Sequence, residues 1–399
     1  MTEIVKINLR SILDSRGYPT VEADIYTGNG GFGRACAPSG ASTGIWEAKA
    51  LPAEEAVIHA KKQIIPKLLG TDADDQREFD RLLREIDGTE DFSCIGSNIS
   101  TALSLANAKA AADERDMDLF RYLGGEFTPK LPLPLGNVVG GGAHAVNATD
   151  IQEFLIIPTG AKSAWEAVLT NAKVHQTIRE LLKKSGNGCG KGDEGAWAPK
   201  ISDWKAFKTV QEAISLVSDE TGIEIRMGID VAASELWNEE RKSYVYKDTE
   251  RSVDDQISYL ADLCDEFNLK FIEDPIQEED FDGFADFTKE LAGRDTIICG
   301  DDIFVTNIHR LQKGIECGAA NAVLIKPNQI GTLTDTAQTI SLAKSAGYNT
   351  VMSHRSGETT DETIAHLATA FGCCLLKTGV VGGERIAKLN ELVRIDEIL

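Results

Sequence analysis

Eight short apolar runs, separated by stretches with helical spacing, place the strongest limit on the fold of this chain. They span residues 135–139, 154–157, 223–231, 270–274, 296–300, 322–325, 349–352 and 373–376. Their apolar character is continuous rather than alternating, which is typical of strands buried on both faces of a parallel sheet. Eight such strands with helices between them predict a (β/α)8 barrel.

The first two runs are too close together for a regular barrel. Only residues 140–153 separate them, and this is too short for a comfortable helical crossover between parallel neighbours. We therefore expect the first two barrel strands to be antiparallel and the barrel to be irregular at its start.

The residues before the barrel follow another pattern. Strands and turns dominate up to residue 50, and the apolar spacing is helical over 53–120, with a predicted stripe through Ile58, Ile65 and Leu68. Strands followed by helices predict an α+β domain. The Leu-Pro-Leu-Pro segment at 131–134 is stiff and extended. We place the boundary there, with an N-terminal α+β capping domain at 1–130 and the barrel domain at 131–399.

Charge and cysteine usage restrict the partners and the location. The 399 residues carry 41 basic and 63 acidic side chains, a net charge of −22, which disfavours nucleic acid or an anionic membrane surface as a partner. No stretch approaches the roughly 18 apolar residues of a membrane span. The eight cysteines form no Cys-x-x-Cys pair and are expected to be reduced thiols. The sequence predicts a cytoplasmic protein.

Polar residues stand at the ends of most barrel runs, where barrel enzymes place their active sites. Polar residues also occur wherever strands simply reach solvent, but titratable side chains at six consecutive strand ends favour a functional site. These residues are Asp230, Glu273, Asp301, Lys326, His354 and Lys377, with Gln152 and Glu153 beside the second run.

Three of these residues are carboxylates on successive strands. Asp230, Glu273 and Asp301 would repel one another strongly at one point unless a cation lay between them. Oxygen ligands without Cys or His favour Mg²⁺ over zinc or copper. Lys326 and Lys377 would face that cation, and a lysine near positive charge loses proton affinity and can act as a base. The spacing predicts a Mg²⁺-dependent enzyme that abstracts a proton next to a carboxylate.

Six motifs closely resemble the signatures of the enolase family, and the resemblance covers essentially the whole chain in order. They are Asp-Ser-Arg-Gly at 14–17, Pro-Ser-Gly-Ala-Ser-Thr-Gly at 38–44, Gly-Asp-Glu-Gly at 192–195, Ile-Glu-Asp-Pro at 272–275, Lys-Pro-Asn-Gln-Ile-Gly-Thr at 326–332 and Ser-His-Arg-Ser-Gly-Glu at 353–358.

The resemblance implies a hydro-lyase that dehydrates 2-phosphoglycerate to phosphoenolpyruvate in glycolysis. It implies that Asp230, Glu273 and Asp301 hold one Mg²⁺, and that Ser42 of the active-site loop 38–44 ligates a second. Lys326 would remove the C2 proton. The leaving 3-hydroxyl would be protonated by Glu194, which a close second carboxylate, Glu153, would help to keep neutral.

The resemblance also implies the residues that bind the small, anionic, phosphorylated substrate. Lys377 would add positive charge at the substrate carboxylate, and the fork of Arg355 would bind the phosphate. The family further implies a homodimer or a higher homo-oligomer. The remaining predicted pocket residues are Ala41, His144, Gln152, His354 and Ser356.

Departures from the family pattern leave the substrate open at this point. Gly140 stands where the family has Asn, and Ala196 stands where it has Gly, next to Glu194. A family paralogue that acts on a phosphonate or carboxylated analogue of 2-phosphoglycerate is therefore the alternative function. A non-catalytic barrel is disfavoured, because no predicted catalytic position is replaced.

Overall fold

The computed structural model describes residues 2–41, 44–125, 129–145 and 148–399. Within these ranges the chain begins with an antiparallel sheet in the order β1-β2-β3. Gly33 lies where this sheet meets a long helix, and a Cβ there would approach the carbonyl oxygen of Ala106 to 2.0 Å, so the contact requires glycine. The three strands are β1 (Ile4–Leu13), β2 (Pro19–Thr27) and β3 (Phe32–Cys36).

Five helices follow this sheet, as the spacing predicted. The predicted buried stripe of the first helix is wrong, because Ile58 is 57% exposed and the helix buries Ala53, Ala56, Val57 and Ala60 instead. Small side chains allow the helix backbone to approach its neighbours closely. The helices are α1 (Ala53–Gln63), α2 (Ile65–Leu68), α3 (Gln76–Asp87), α4 (Ser97–Glu114) and α5 (Leu119–Leu123).

The barrel begins with three strands and a small excursion. The strands are β4 (Leu133–Gly140), β5 (Glu153–Ile157) and β6 (Arg226–Asp230), with helices α6 (Ala164–Lys184) and α7 (Asp203–Thr221) between the last two. The excursion after β6 consists of α8 (Ala233–Leu236) and a separate sheet of β7 (Trp237–Asn238), β8 (Ser243–Val245) and β9 (Glu250–Arg251).

The rest of the barrel alternates helices and strands. The strands are β10 (Phe271–Glu273), β11 (Ile297–Gly300), β12 (Ala322–Ile325), β13 (Asn349–Ser353) and β14 (Leu375–Gly379). The helices are α9 (Val253–Phe267), α10 (Phe281–Glu290), α11 (Ile308–Cys317), α12 (Pro327–Ile330), α13 (Leu333–Ser345), α14 (Thr363–Ala370) and α15 (Gly383–Ile398).

The barrel is closed by β14 pairing in parallel with β4. Strand β5 is antiparallel to both of its neighbours, β4 and β6, and the other neighbouring strands pair in parallel. The predicted α+β domain, the eight-stranded barrel and its antiparallel start are confirmed. The exact domain boundary at residue 130 stays a prediction.

Because β5 runs backwards, its first residue lies where the other strands end. The register pairs Glu153 with Asp230, and Asp230 with Glu273. We call this edge, at the C-terminal ends of the parallel strands, the barrel mouth. The reversed strand β5 therefore places the carboxylate of its first residue, Glu153, at the barrel mouth.

The N-terminal part is attached to the barrel by polar contacts that bring residues 38–41 over the mouth. Ser39 and Gly357 exchange two backbone hydrogen bonds of 2.7 and 2.8 Å. On the other side, Arg84 of α3 forms an ion pair of 2.7 Å with Asp335 of α13. No helix in the described part of the chain combines the length and apolar character that a membrane span needs.

Candidate active site at the barrel mouth

A cavity lies at the barrel mouth, beneath residues 40 and 41 of the N-terminal part. It brings together predicted residues from positions far apart in the sequence. The predicted residues that line it are Ala41, Gln152, Glu153, Glu194, Asp230, Asp301, Lys326, His354, Arg355, Ser356 and Lys377.

Lys377 is the centre of a cluster of carboxylates. Its Nζ lies 3.0 Å from Asp230 Oδ2, 2.7 Å from Glu273 Oε2 and 3.1 Å from Glu153 Oε2. Burial disfavours the ammonium, but Asp230, Glu153 and Glu273 outweigh burial and hold the pKa of Lys377 well above its ordinary value. Lys377 is therefore a fixed positive charge at the mouth. Gln152 reaches the same cluster, with Nε2 3.5 Å from Asp230 Oδ2.

Lys326 forms a second centre with Asp301, to which its Nζ donates a short hydrogen bond. Burial disfavours the ammonium, but the charge of Asp301 outweighs it and raises the pKa of Lys326. The sequence had suggested that nearby positive charge would lower the proton affinity of this lysine. That expectation concerned a lysine that faces a bound cation, and it stays a prediction; in this structure the nearest charged partner of Lys326 is the carboxylate of Asp301.

Gln329 holds the other oxygen of Asp301. Its Nε2 donates to Asp301 Oδ1 at 2.9 Å, and its Oε1 accepts from Thr306 Oγ1 at 2.9 Å. Thr306 Oγ1 in turn accepts from the backbone N–H of Lys326 at 2.9 Å. Sequence reasoning missed Gln329 and Thr306. Gln329 does stand inside the Lys-Pro-Asn-Gln motif, whereas nothing in the sequence marked Thr306.

The predicted metal ligands lie in two adjoining groups. Asp230 and Glu273 meet at Lys377, whereas Asp301 belongs to an acidic group with Asp274 and Asp302 whose nearest oxygens lie within 4.8 Å of one another. Asp274 also accepts from the backbone N–H groups of Asp301 and Asp302, each at 2.9 Å. The sequence analysis did not single out Asp274 or Asp302.

The donor chemistry at the mouth fits a hard divalent cation. Burial and, after it, the neighbouring carboxylates raise the pKa values of Glu153, Glu273, Asp274 and Asp302 well above their ordinary values. By count, the carboxylates grouped here outnumber the two lysines that contact them, Lys326 and Lys377. Carboxylate oxygens in this arrangement are the ligands that Mg²⁺ prefers.

Glu194 faces His354 and Asn137 in the same cavity. Glu194 Oε2 lies 3.2 Å from His354 Nε2 and accepts from Asn137 Nδ2 at 3.1 Å. Arg385, which is fully buried, places Nη1 2.7 Å from His354 Nδ1. A guanidinium only donates, so Nδ1 accepts and the ring hydrogen is on Nε2, facing Glu194.

Burial shifts the pKa values of His354 and Glu153. Burial lowers the pKa of His354 to about 4, so the ring is neutral at neutral pH. Burial and the charge of Glu194 raise the pKa of Glu153 well above its ordinary value. Burial and the neighbouring carboxylate therefore favour the protonated form of Glu153.

Arg355 is held by an acid that sequence reasoning missed. Its Nη1 lies 2.9 Å from Glu47 Oε2 and its Nη2 lies 3.1 Å from Glu47 Oε1, which is a bidentate ion pair between two buried side chains. Glu47 follows the 38–44 loop motif in the sequence, but nothing in its spacing pointed to Arg355. Ser356 Oγ accepts from the backbone N–H of Ala41 at 2.6 Å.

Two predicted site residues cannot be placed. Ser42 lies outside the described residues. The backbone of His144 ends the 3₁₀ turn Gly142–His144, and its side chain is outside the described part of the chain.

The two departures beside Glu194 touch each other instead of the cavity. A Cβ on Gly140 would meet Ala196 Cβ at 3.5 Å, an ordinary contact distance. The backbone N–H of Gly140 also donates to the carbonyl oxygen of Trp197 at 2.9 Å. Neither Gly140 nor Ala196 lines the cavity, so the departures affect the packing behind Glu194 rather than the pocket wall.

His175, which is buried on α6, makes the stability of the folded protein depend on pH. Burial lowers its pKa to about 4 from an ordinary value of 6.5. As the pH falls, the imidazole of the unfolded chain is therefore protonated before that of the folded chain. The free energy of unfolding that His175 contributes is fully present above pH 6.5, and we expect it to decrease as the pH falls to about 4. The loss is at most about 3.5 kcal/mol, from about 1.4 kcal/mol per pKa unit.

The check is urea unfolding of the chain and of His175→Gln between pH 7 and pH 5. Glutamine does not titrate, so the variant should lose less stability over this range than the parent chain. Parallel pH profiles for the two proteins would contradict the prediction. Val174→Ala, which alters a neighbouring buried side chain without removing a titratable group, is the control.

Comparison with known proteins places the whole chain in one group. Residues 4–123 match the family model described as "Enolase, N-terminal domain", and residues 128–399 match "Enolase, C-terminal TIM barrel domain". The enolase of Methanocorpusculum labreanum is 67% identical over 397 residues, covering 100% of both chains. The enolase of Halorubrum lacusprofundi is 56% identical over 99% of both chains. That of Archaeoglobus fulgidus is 52% identical over 99% of this chain and 98% of its own.

Proposed function

This chain belongs to the enolase family, and on that premise we propose how its residues carry out the family reaction. It is a hydro-lyase of glycolysis that dehydrates 2-phospho-D-glycerate to phosphoenolpyruvate. The full-length identity to enolases carries this conclusion. The alternative, a paralogue that uses a phosphonate or carboxylated analogue, is not favoured, since the departures at 140 and 196 lie outside the cavity wall.

The metal site is proposed from its donors. The family depends on Mg²⁺; we propose that Asp230, Glu273 and Asp301 hold one ion and that Ser42 contributes to a second. When bound, Mg²⁺ would supply the positive charge that the substrate carboxylate needs as its C2 proton leaves. The excess of buried negative charge around Lys377 supports a cation at this place.

Lys326 is the proposed base for the C2 proton. A base needs the neutral amine, and Lys326 releases its proton more easily when the charge of Asp301 is offset. The hydrogen bonds of Gln329 and Thr306 fix Asp301 and the backbone of Lys326. Its amine is thereby directed into the cavity from the end of β12.

Glu194 is the proposed acid for the 3-hydroxyl. A general acid must carry its proton at neutral pH, and burial with a neighbouring carboxylate favours the protonated form at Glu153, beside Glu194. His354 presents its Nε2 hydrogen to Glu194 and so fixes the carboxyl orientation. The acid lies in the connection between α6 and α7, and the base lies at the end of β12. The two groups then reach the substrate from different elements, which suits removal of two groups from adjacent carbons.

The remaining pocket residues are proposed to bind the substrate. Lys377 and Gln152 would face its carboxylate, and Arg355 with Ser356 would bind its phosphate. His144 and the backbone of Ala41 would complete the pocket. The bidentate ion pair with Glu47 fixes the guanidinium of Arg355 at the cavity wall.

The direct test of the function is an absorbance assay. Adding 2-phosphoglycerate and Mg²⁺ to the purified chain should raise absorbance in the phosphoenolpyruvate band. A flat trace from folded protein, with product formed from a carboxylated analogue instead, would replace the proposed substrate by the alternative.

Changing a proposed ligand should weaken Mg²⁺ binding. Glu273→Gln removes a charged oxygen donor, and we expect Mg²⁺ affinity measured by calorimetry to fall by about 100-fold or more, since outer partners alone cost up to about 100-fold. Asp265→Asn, in an exposed ion pair with Arg294, is the control. Unchanged affinity and stoichiometry in Glu273→Gln would exclude Glu273 as a ligand.

Two further properties stay proposals. We propose a homodimer, or a higher homo-oligomer, as the family implies. The cytoplasmic location expected from the sequence is still a prediction.

A further inference from the structure

Two side chains outside the cavity, His175 and Trp197, join helix α6 to the loop that carries Glu194. His175 Nε2 lies 3.0 Å from the carbonyl oxygen of Gly195, the residue after Glu194. Trp197 Nε1 donates back to the carbonyl oxygen of His175 at 2.9 Å. The two rings stack with centroids 4.9 Å apart and an interplanar angle of 28°. The loop and α6 are thus joined by reciprocal hydrogen bonds and a stacked ring pair.

The hydrogen on His175 is in the position that this contact needs. The carbonyl oxygen of Gly195 can only accept, so Nε2 must donate. His175 is 3% exposed, and burial, with a smaller contribution from Lys191, keeps the ring neutral at neutral pH. A neutral ring that donates from Nε2 is a fixed tautomer with a single orientation.

Trp197 attaches the same loop to the barrel. Its backbone N–H donates to the carbonyl oxygen of Val138 at 3.0 Å, and its own carbonyl oxygen accepts from Gly140 at 2.9 Å. Val138 and Gly140 belong to β4, the strand that also carries Asn137, which donates to Glu194. Hydrogen bonds to β4 on one side and to α6 on the other therefore hold the loop in place.

The backbone at Glu194 has little room to move toward β14. A Cβ on Gly379 would lie 2.0 Å from the carbonyl oxygen of Glu194, and one on Gly195 would lie 2.2 Å from that of Val381. Gly195 also has a φ of +82°, which favours glycine. On the α6 side, the hydrogen bonds of His175 and Trp197 hold the same loop.

We propose that His175 and Trp197 are positioning residues that hold the loop of Glu194 at the distance from which its carboxyl reaches the substrate hydroxyl. This inference rests on the proposed role of Glu194 as the acid. It assigns a function to the ring pair behind the active site, which touches neither substrate nor metal ligand.

The proposal separates the two halves of the reaction. Positioning of Glu194 matters for loss of the hydroxyl, whereas removal of the C2 proton depends on Lys326, which lies at the end of β12. Loosening the ring pair should therefore slow dehydration and leave exchange of the C2 proton with solvent unchanged. A displacement of about 1 Å can reduce a rate by about 100-fold.

The main test compares His175→Phe with His175→Gln in full-length protein saturated with Mg²⁺. Phenylalanine keeps a ring but has no donor, and we expect kcat for dehydration to fall about 10- to 100-fold with little change in KM and in C2 proton exchange. Glutamine can donate an amide hydrogen to Gly195, and it should restore most of the rate.

Trp197→Phe is the second variant, since it keeps an aromatic ring for stacking but loses the indole N–H together with the second fused ring. It should reduce dehydration selectively, as His175→Phe does. Ile178→Val, a conservative change at a buried position of α6, is the control and should leave both rates unchanged.

Two results would overturn the proposal. Equal losses of exchange and dehydration in folded His175→Phe and Trp197→Phe would indicate a general structural role. Unchanged dehydration in both variants would show that the ring pair does not position the loop. The variant Glu194→Gln distinguishes these from an error in the proposed function, because normal dehydration in that variant would remove the acid role itself.

Discussion

Replacing Lys326 by alanine is expected to stop exchange of the C2 proton of 2-phosphoglycerate with solvent and to stop dehydration with it. The C2 proton is very weakly acidic, and in the proposed site Lys326 is the amine placed to take it. Loss of a general base costs up to about 10⁴-fold. The measurement is deuterium incorporation at C2 in heavy water, followed by NMR, alongside the absorbance assay.

Lys326→Arg shows whether the amine acts as a base or only as a charge. Arginine keeps a positive charge beside Asp301 but stays protonated at any working pH, so it should be as inactive as alanine. Lys313→Ala, a change on the outer helix α11, should leave both rates unaltered. Mg²⁺ affinity should be largely retained in all three variants. Continued exchange in Lys326→Ala would mean that another residue is the base.

Replacing Glu194 by glutamine is expected to block loss of the 3-hydroxyl while C2 proton exchange continues. Glutamine keeps the shape and can still contact His354 and Asn137, but it has no proton to give to the leaving oxygen. Dehydration should fall by about 10²- to 10⁴-fold, the usual contribution of a general acid. The same two assays measure both steps on one sample.

The separation of the two steps is the decisive result for Glu194. Loss of both exchange and dehydration in the folded variant would indicate that Glu194 has a structural role instead. Glu180→Gln, an exposed acid on α6, is the matched control. It should leave both rates as they are in the parent chain.

The sequence predicted the barrel well because a strand buried on both faces leaves a local signature. Each of the eight apolar runs corresponds to a barrel strand, and the short connection between the first two gave their antiparallel pairing. The prediction for α1 was wrong because apolar spacing alone does not decide which face a helix buries. There, alanines lie against the neighbouring elements and Ile58 faces solvent.

The sequence also supplied the residue types at the mouth, but it did not supply their partners. It placed a lysine after β12 and carboxylates after other strands, because chemistry at strand ends can be read along the chain. It did not indicate that Lys326 contacts Asp301 or that Arg355 contacts Glu47. These partners set the protonation of the lysine and the direction of the guanidinium.

Order along the chain therefore determined the elements, the family and the set of reactive groups, since each of these depends on neighbouring residues or on motifs. Closure of the barrel and docking of the N-terminal part decided which groups meet. Glu47 and Arg355 are 308 positions apart, and Lys377 and Asp230 are 147 apart. Distances across such separations depend on packing of the whole molecule, which has no signature in any local stretch of sequence.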